Sequence, residues 1–343
     1  MAAVADGVPH RAVVRALGTA PGMSNILVIK HGALGDFVLA MGPFAAIRRH
    51  HPEAAITLLT TAPFGDLAEA SGYFDAVWID TRPKLTQPIE LLVLARRLND
   101  AGFGRVYDLQ TSTRSSGYFR LMGPLFGGAR PEWSGIARGC SHPHVNSDRP
   151  LMHTIERQKD QLAAAGITDV PGADLGWAVA DISRFGLTDD TPGGDAPPYV
   201  LIAPGGARHR PEKRWPMERF AELAAKLAQM GVTPVVLGAG AEREVAEAVC
   251  DLCPDARNLC TLTSFIDIVA LARDAAGAVG NDTGPMHLIA AAGCPSVVLF
   301  SDESDPALCA PRGPGGAASV TVLRRRSLED LALGEVDAAL SMR

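Results

Sequence analysis

Several features are absent from this 343-residue sequence, and each absence narrows the possible functions. No apolar run reaches the length of a transmembrane helix, so no membrane-spanning segment is predicted. Positive charge is not in excess: the formal net charge is −6, which gives no general attraction to nucleic acid or to a membrane. An anionic ligand must therefore be bound by a local cluster of residues.

Cysteine is scarce, and the six cysteines lack the spacing of a secreted disulfide framework, which favours a reducing cytoplasm. Cys250 and Cys253, followed by Cys260, leave two interpretations open: a metal site and buried thiols. We favour buried thiols, because no fourth ligand is nearby in the sequence and Cys250 lies in a helical pattern.

Residues 1–22 carry Arg11 and Arg15 but lack the apolar core of a signal peptide. We expect a disordered N-terminal extension, with a targeting role as the alternative. Met23 directly precedes the first predicted strand, which also allows an upstream, misassigned start.

Strand and helix patterns alternate along the rest of the chain, which predicts parallel α/β architecture. The turn-rich residues 189–198 interrupt the alternation and mark the approach to a second domain. The predicted strands are 26–29, 55–59, 76–79, 105–109, 199–202, 233–237, 276–280 and 296–300, and the predicted helices are 36–50, 63–71, 88–101, 153–165, 216–230, 242–252, 265–272, 285–292 and 327–340.

This pattern divides the chain into two doubly wound halves. Residues 127–149 are rich in Gly, Pro, Ser and His and are interpreted as a long loop or a broken helix, which in a compact domain is often a binding element. The proposed division is an extension at 1–22, a Rossmann-like domain at 23–185, a second one at 186–326, and a C-terminal helix at 327–343 that has the length to pack back toward the first domain.

The first of three motifs at strand ends is a glycine-containing turn after the first strand. Gly32 and Gly35 allow a tight turn, and Asp36 follows at the start of a helix. The turn matches neither G-x-G-x-x-G nor a P-loop. Asp36 is either an N-cap or a functional carboxylate, and the turn alone does not decide between them.

The second motif follows the strand that ends near Ala203. Gly205 and Gly206 leave backbone N–H groups free for an anion, and Lys213 and Arg214 add positive charge before the next helix. This pattern is typical of phosphate binding without Walker spacing. A solvated basic loop is the alternative.

The third motif is the sequence Asn-Asp-Thr-Gly-Pro after the strand that ends at Gly280. Asp282 and Thr283 are good capping residues, and Pro285 suits the first helical turn. A helix that starts at the Thr283–Gly284 step offers N–H groups and its dipole to an anion. His287 lies near that end, either as a core residue or as a ligand contact.

Two anion-binding turns on one domain suggest a diphosphate, as in a sugar nucleotide. Asp36 belongs to the other domain and faces them across the cleft that the two halves would form. A carboxylate opposite a diphosphate binds phosphate poorly but serves well as a general base. We therefore expect Asp36 to accept the proton of an acceptor hydroxyl.

Together the segments IKHGALGD, PGGARHRPEKRWPMERFAELA and GNDTGPMHLIAAAGCPSVVLF resemble glycosyltransferase family 9, which includes the ADP-heptose:lipopolysaccharide heptosyltransferases. The resemblance implies a GT-B fold, in which the N-terminal domain binds the acceptor and the C-terminal domain binds the nucleotide sugar. It gives Asp36 the role of base and Lys213 a phosphate contact. It implies that the diphosphate and sugar are held by Asp282, Thr283, Gly284 and His287, besides the Gly205–Gly206 turn.

Two further donor contacts follow from the resemblance. An acid that holds the ribose falls on Glu242, with Glu244 as the competing choice. Main chain that holds the adenine falls near Thr263. The turn at Gly205 and Gly206 lacks the hydroxyl side chains of some heptosyltransferases, so it offers backbone contacts only, and the sequence does not identify the donor sugar.

The implied reaction is an inverting displacement that needs neither metal nor cofactor, because the donor is a substrate and no D-x-D motif stands at a strand end. If the acceptor is the anionic core of lipopolysaccharide, Lys30, Arg114 and Arg120 are candidates to bind it. A cytoplasmic enzyme would meet a lipid-linked acceptor peripherally at the inner membrane, and no nucleic-acid partner is expected.

Other functions are weighed against this one. A nicotinamide dehydrogenase needs a complete G-x-G-x-x-G motif, which GALGD and GAGAERE do not supply. A family 9 transferase with another donor, a GT-B UDP-sugar epimerase and a non-catalytic nucleotide-sugar sensor remain alternatives.

Overall fold

The computed structural model describes residues 24–187, 197–206, 210–314 and 319–343. These residues form two six-stranded sheets in which every strand pair is parallel. The first sheet contains β1 (Asn25–Ile29), β2 (Ala55–Thr60), β3 (Ala76–Ile79), β4 (Arg105–Asp108), β5 (Glu132–Gly135) and β6 (His142–Pro143). The second contains β7 (Tyr199–Ala203), β8 (Thr233–Val236), β9 (Arg257–Asn258), β10 (Gly277–Asn281), β11 (Ser296–Phe300) and β12 (Val320–Arg324).

Helices connect most of the strands, as is usual for parallel pairing, whereas the short loop 136–141 joins β5 to β6. Those of the first half are α1 (Leu34–Val38), α2 (Met41–His50), α3 (Gly65–Ala70), α4 (Pro88–Asp100), α5 (Thr113–Leu121) and α6 (Thr154–Ala163). Those of the second half are α7 (Met217–Gln229), α8 (Arg243–Leu252), α9 (Phe265–Asp274), α10 (Gly284–Ala291), α11 (Pro306–Cys309) and α12 (Leu333–Ala339). None of the described helices is both long enough and apolar enough to cross a bilayer.

The two sheets have the same strand order. The first runs β3-β2-β1-β4-β5-β6, and the second, read from its other edge, runs β9-β8-β7-β10-β11-β12. Each order reverses once, between β1 and β4 and between β7 and β10, and ligands of such sheets bind beyond the strand ends at that switch point. The predicted α/β class with two doubly wound halves is confirmed.

The interpretation of residues 127–149 as a loop or broken helix is wrong in part, because β5 and β6 lie within this segment. Trp133 of β5 is fully buried and packs at an edge on Phe119, with 5.4 Å between the ring centroids. Strands of four and two residues are too short to show a periodic pattern. Backbone pairing fixes them: β5 pairs with β4, which lies 27 positions earlier in the chain, and β6 pairs with β5.

The predicted helix at 36–50 is interrupted, because α1 ends at Val38 and α2 begins at Met41. The C-terminal helix contacts the second half: Asp337 of α12 pairs with Lys226 of α7 at 2.5 Å, and just before the helix the Leu331 carbonyl accepts from the Trp215 indole at 2.9 Å. Its packing toward the first domain stays a prediction. The domain limits at 185 and 186 remain a prediction, and residues 1–22 lie outside the described part of the chain.

The two halves pack directly on each other. A continuous core cluster includes residues of both sheets, and the rings of Phe64 and Phe265 stack across the junction with centroids 6.2 Å apart. Beside this core, Thr154 of α6 donates to the Leu308 carbonyl at 3.2 Å. The carboxyl ends of both sheets are thereby held near each other.

Candidate functional site

The N-terminal ends of α1 and α10 meet where the two halves join. A Cβ built on Gly35 would lie 2.7 Å from the imidazole of His287, and one built on Gly284 would lie 2.7 Å from the Cβ of Leu34. Both distances are shorter than real contacts, so this approach requires glycine at both positions. The turn that carries Asp36 therefore adjoins the Asp-Thr-Gly turn, although they are about 250 residues apart in the sequence.

Asp36 is the third residue of α1, and the N-cap position belongs to Ala33, which makes no side-chain capping bond. The interpretation of Asp36 as an N-cap is therefore wrong. Its carboxylate is partly exposed and lines a recess beside Lys30. A carboxylate that faces a recess at the junction is placed to meet a bound substrate.

A buried pair of side chains fixes the turn that precedes Asp36. The Nε2 atom of His31 lies 2.9 Å from Oδ2 of Asp80, and the Tyr118 hydroxyl donates to the same oxygen at 2.6 Å. Although burial acts to raise it, these hydrogen bonds hold the pKa of the Asp80 carboxyl below its ordinary value. The Thr61 hydroxyl donates to the His31 carbonyl at 2.9 Å, which ties the turn to the end of β2.

The basic loop of the second motif reaches the third motif. Lys213 Nζ lies 2.6 Å from Oδ2 of Asp282, and the Ser304 hydroxyl donates to that oxygen, also at 2.6 Å. The Lys213 and Asp282 side chains are 12% and 10% exposed, so the pair is largely withdrawn from water. The structure therefore brings these two predicted donor-site residues together and does not support a solvated basic loop at Lys213.

Asn281 is a structural residue of this site that the sequence analysis missed. Its buried amide donates to the carbonyls of Pro204 at 2.8 Å and Gly205 at 3.1 Å, and its oxygen accepts from the Trp215 N–H at 2.9 Å. One side chain thus fixes the Gly205–Gly206 turn and the chain that leads into α7. An asparagine as the last residue of an apolar strand was the signal that could have found it.

Thr283 is the N-cap of α10, and Gly284 is the first helical residue, with Pro285 in the second position. The Thr283 hydroxyl makes no capping bond. His287, one turn along, is 5% exposed, and its Nδ1 atom has no hydrogen-bond partner among the described residues. Burial lowers the pKa of the His287 imidazole to about 4, against the opposing charges of Asp282 and Asp36. The ring is therefore neutral near pH 7.

The structure distinguishes between the two candidate ribose acids. A Cβ on Gly205 would lie 2.6 Å from Cγ of Glu242, so this glutamate packs directly on the glycine turn. Glu242 also accepts from the Ala239 N–H at 2.9 Å. Glu244 is exposed in the first turn of α8. Thr263, the predicted adenine position, is half-buried and directly precedes Ser264, the N-cap of α9.

The first switch point holds a buried acid, Asp108, at the end of β4. Its Oδ1 atom accepts from the N–H groups of Gln110 and Thr111, whereas Oδ2 has no partner among the described residues. Burial raises the pKa of the Asp108 carboxyl to about 6. Lys30, which follows β1, is buried nearby and donates to the Leu109 carbonyl at 3.3 Å.

The predicted acceptor cations do not all reach the recess beside Asp36. Lys30 lines it, whereas Arg114 donates to the Pro83 carbonyl at 2.9 Å and Arg120 lies exposed in the last turn of α5. The lining also includes one polar face of α6, which the sequence analysis did not assign. The residues of that face are Thr154, Arg157, Gln158 and Gln161.

The spacing of these α6 residues, i, i+3, i+4 and i+7, is the signal that could have revealed the face. Gln158 and Gln161 are buried, so the helix turns polar groups inward where apolar residues are usual. Among the described residues, no cluster of His, Cys, Asp or Glu has the arrangement of a metal site.

Comparison with known proteins gives a consistent picture. Residues 91–323 match the family model "Glycosyltransferase family 9 (heptosyltransferase)". The chain is 27% identical over 307 residues to lipopolysaccharide heptosyltransferase 2 of Escherichia coli strain K12, which covers 82% of this chain and 83% of the relative. A lipooligosaccharide heptosyltransferase 2 of Haemophilus influenzae is 30% identical over 112 residues, 31% of this chain and 32% of the relative.

Solved structures with the same fold include a family 9 glycosyltransferase from Veillonella parvula, with a TM-score of 0.75, 22% identity and coverage of 92% of this chain and 95% of that chain. The E. coli ADP-heptose lipopolysaccharide heptosyltransferase II has a TM-score of 0.73 and 23% identity, with coverage of 92% and 98%. These similarities confirm the predicted GT-B arrangement of the two Rossmann-like halves.

Proposed function

This chain belongs to glycosyltransferase family 9, and from that premise we propose that it transfers a heptose from ADP-heptose to a lipopolysaccharide core or a related glycan acceptor. The observation that carries the proposal is the meeting of two switch points. Asp36 lies in α1, which follows the first strand of the first half, and the Asp282–Gly284 turn follows β10 of the second half. The two adjoin each other at the N-terminal ends of α1 and α10. Names and folds of relatives support the sugar and acceptor, and the geometry supports the transfer.

In the proposed reaction the acceptor hydroxyl attacks the anomeric carbon of the sugar. Asp36 accepts the hydroxyl proton as the new C–O bond forms, and the bond from the anomeric carbon to the phosphate oxygen breaks. A single displacement from the opposite face inverts the configuration at that carbon. A positioned general base contributes on the order of 10²–10⁴-fold in rate.

The leaving nucleoside diphosphate gains negative charge, which the second half is built to receive. Lys213 and the N-terminal end of α10 supply positive charge beside the Gly205–Gly206 turn. We propose that Lys213 and the N-terminal end of α10 stabilise the negative charge of the leaving diphosphate, and that the reaction uses neither metal nor cofactor. The neutral imidazole of His287 is suited to hydrogen-bond the sugar or diphosphate without removing the proton that Asp36 must accept.

The roles of the two domains follow from the same assignment. We propose that residues 23–185 bind the acceptor, with Lys30, Arg114 and Arg120 available on that side, and that residues 186–326 bind the donor. Glu242 is suited to the ribose because it packs on the glycine turn, and the chain near Thr263 is suited to the base.

We further propose a cytoplasmic location with peripheral contact to the inner membrane, through α4 and the loop before it. Leu85, Ile89 and Val93 are 91%, 75% and 62% exposed. Residues 81–130 contain eight basic and three acidic residues, in a chain whose net charge is −6, and one of the three acids, Asp108, is buried. An exposed apolar helix face among cations suits an anionic lipid surface.

Vesicle sedimentation tests this contact. The protein should pellet with phosphatidylglycerol vesicles and not with phosphatidylcholine vesicles, and high salt should release it. Replacing Ile89 and Val93 by Ser should reduce the bound fraction and leave ADP binding unchanged. Equal binding of this double variant would exclude α4 as the contact.

The function itself is tested by incubation with ADP-heptose, with and without lipopolysaccharide core lacking the terminal heptose. A transferase releases ADP only when the acceptor is present, and the acceptor gains one heptose in mass. ADP release without acceptor would indicate a hydrolase, and free epimeric sugar would indicate an epimerase. Binding without turnover of ADP-, UDP- or GDP-sugars would indicate a sensor.

A further inference from the structure

The recess beside Asp36 is lined by polar groups that lack the partners buried polar groups usually have. Gln158 is only 3% exposed, yet neither its Nε2 nor its Oε1 atom has a hydrogen-bond partner among the described residues. Leaving a buried amide unpaired costs about 1–3 kcal/mol. A group that is costly to leave unpaired in the free protein is well suited to bind a ligand.

Two cations line the same recess without an acid in contact. Lys30 donates one hydrogen bond, to the Leu109 carbonyl, and Arg157 donates to the Thr154 hydroxyl at 3.1 Å. Within the described residues, neither side chain forms an ion pair with a carboxylate. Burial and the charge of Arg157 both lower the pKa of the Lys30 ammonium, which Asp36 and Asp108 oppose. Because both side chains line the recess, one bound group can contact both cations.

A third cation, Arg149, extends this cluster. It donates to the Thr111 hydroxyl at 2.8 Å, while its Nε atom has no partner among the described residues. Thr111 itself lines the recess. Asp36 is the carboxylate of the lining, so a bound anion lies beside the base and not in place of it.

We propose that this recess is an anion subsite, in which Lys30, Arg157 and Gln158 bind one carboxylate or phosphate group of the acceptor. The subsite rests on the proposed transferase function, because it selects which acceptor hydroxyl faces Asp36. A carboxylate or phosphate accepts several hydrogen bonds at once, which matches donors on two sides of the recess. A neutral sugar offers no charge to offset the two cations.

Ligand-observed NMR with saturating ADP tests the subsite, because ADP occupies the donor side and prevents the probes from binding there. Three sugar probes show which chemical group the recess binds: glucuronate carries a carboxylate, glucose 6-phosphate carries a phosphate, and glucose carries no charge. We expect at least one of the two anions to bind and glucose not to compete with it. Whichever anion binds more tightly identifies the group that the acceptor presents.

Two variants locate the binding. Gln158→Glu keeps the shape of the side chain and adds a negative charge. Arg157→Gln removes a positive charge; because Arg157 is only half-buried, this change should destabilise the fold less than a change at the buried Gln158. Each should weaken the preferred anion at least tenfold. Arg96→Ala, at an exposed arginine on α4, should leave it unchanged.

The outcomes separate the subsite from the function. Failure of both anions to bind, competition by glucose, or unchanged anion affinity in both recess variants would overturn the subsite. Since NMR binding needs no turnover, a bound anion in a protein that does not transfer heptose would sustain the subsite and reject the donor or acceptor assignment. Melting temperature and ADP affinity verify that each variant is folded.

Discussion

Asp108 and Asn281 end equivalent strands, β4 and β10, at the switch points of the two sheets, and both are fully buried. Asn281 uses both atoms of its amide, with two carbonyls and one N–H as partners. Asp108 leaves one carboxylate oxygen without a partner among the described residues, and its pKa is raised to about 6. The amide of Asn281 therefore has hydrogen-bond partners for both of its polar atoms, whereas the buried carboxylate of Asp108 has an oxygen that no described residue pairs with, which lowers the stability of the fold.

The difference matches the work that we propose for each half. To bind a diphosphate as proposed, the second half must hold a glycine turn rigid so that its N–H groups keep their positions, and a satisfied amide does this. The first half gathers Asp36, Asp108 and Lys30; burial lowers the pKa of the Lys30 ammonium and both carboxylates oppose this, a perturbation typical of sites that perform chemistry. Under the proposed function, the same sheet topology supports donor binding in one half and proton transfer in the other.

The strongest test of this contrast is Asp36→Asn. The amide cannot accept the acceptor proton, so turnover should fall by roughly two orders of magnitude or more. Donor binding and melting temperature should stay near those of the wild type, because Asp36 makes no capping bond. Asp66→Asn, at another acid in the first turn of a helix, is the matched control. Full activity of the Asp36 variant in steady-state kinetics would show that Asp36 is not the general base.

Asn281→Asp makes the second switch point resemble the first. The carboxylate cannot donate to the Pro204 and Gly205 carbonyls and adds a buried charge, so the free energy of unfolding should fall by about 3 kcal/mol or more. Denaturant titration measures the loss. Asn258→Asp, which keeps an exposed acceptor for the Cys260 N–H, should cost far less. Equal stability of the two variants would mean that Asn281 does not hold the turn.

Lys213→Ala removes the cation of the donor side. A hydrogen bond to a charged group contributes about 1.5–3 kcal/mol, so ADP affinity should weaken by roughly 10- to 100-fold. Calorimetric titration with ADP measures it, with Lys226→Ala as the control, because Lys226 pairs with Asp337 away from the cleft. If both variants bind ADP like the wild type, Lys213 does not contact phosphate.

Asp108→Asn makes the first switch point resemble the second. The pKa of this carboxyl is higher in the folded state than its ordinary 3.8, so the folded protein binds the proton more tightly. Wild-type stability therefore falls as pH rises from about 4 to about 6, and the cost is fully present above that. The Asn variant should be more stable by about 2–3 kcal/mol at pH 7–8.

Urea titrations of both proteins from pH 4 to pH 8 check this dependence. The difference should shrink toward zero as the pH falls through 4, because the folded carboxyl is then protonated and the unfolded one, with its ordinary pKa of 3.8, becomes protonated as well. A constant difference across the range would show that packing, and not ionisation, decides the stability at this position.

The smallest expected effect distinguishes the two candidate ribose acids. Glu242 packs on Gly205, whereas Glu244 is exposed on α8, so Glu242→Gln should weaken ADP binding several-fold and Glu244→Gln should not. Affinities for ADP and for 2′-deoxy-ADP in each variant provide the measurement. An effect confined to Glu244 would reverse the assignment.

Much of this site could be predicted from strand-end motifs, because a turn between an apolar strand and a helix is encoded locally. The polar face of α6 and the short strands β5 and β6 could not be predicted in that way. A strand of two residues exists only through its pairing partner, and Gln158 is unusual only because the recess buries it. Asn281 likewise gains its role from carbonyls that lie 76 and 77 positions away.

The sequence by itself determined two parallel α/β halves, the three motifs and the family, since periodicity and turn chemistry are properties of neighbouring residues. Only the tertiary structure decided that Gly35 and Gly284 let α1 and α10 meet, that Asp36 is not a cap, and that the last helix pairs with α7. The physical reason is that these outcomes depend on contacts between distant segments, whose energies no local pattern carries.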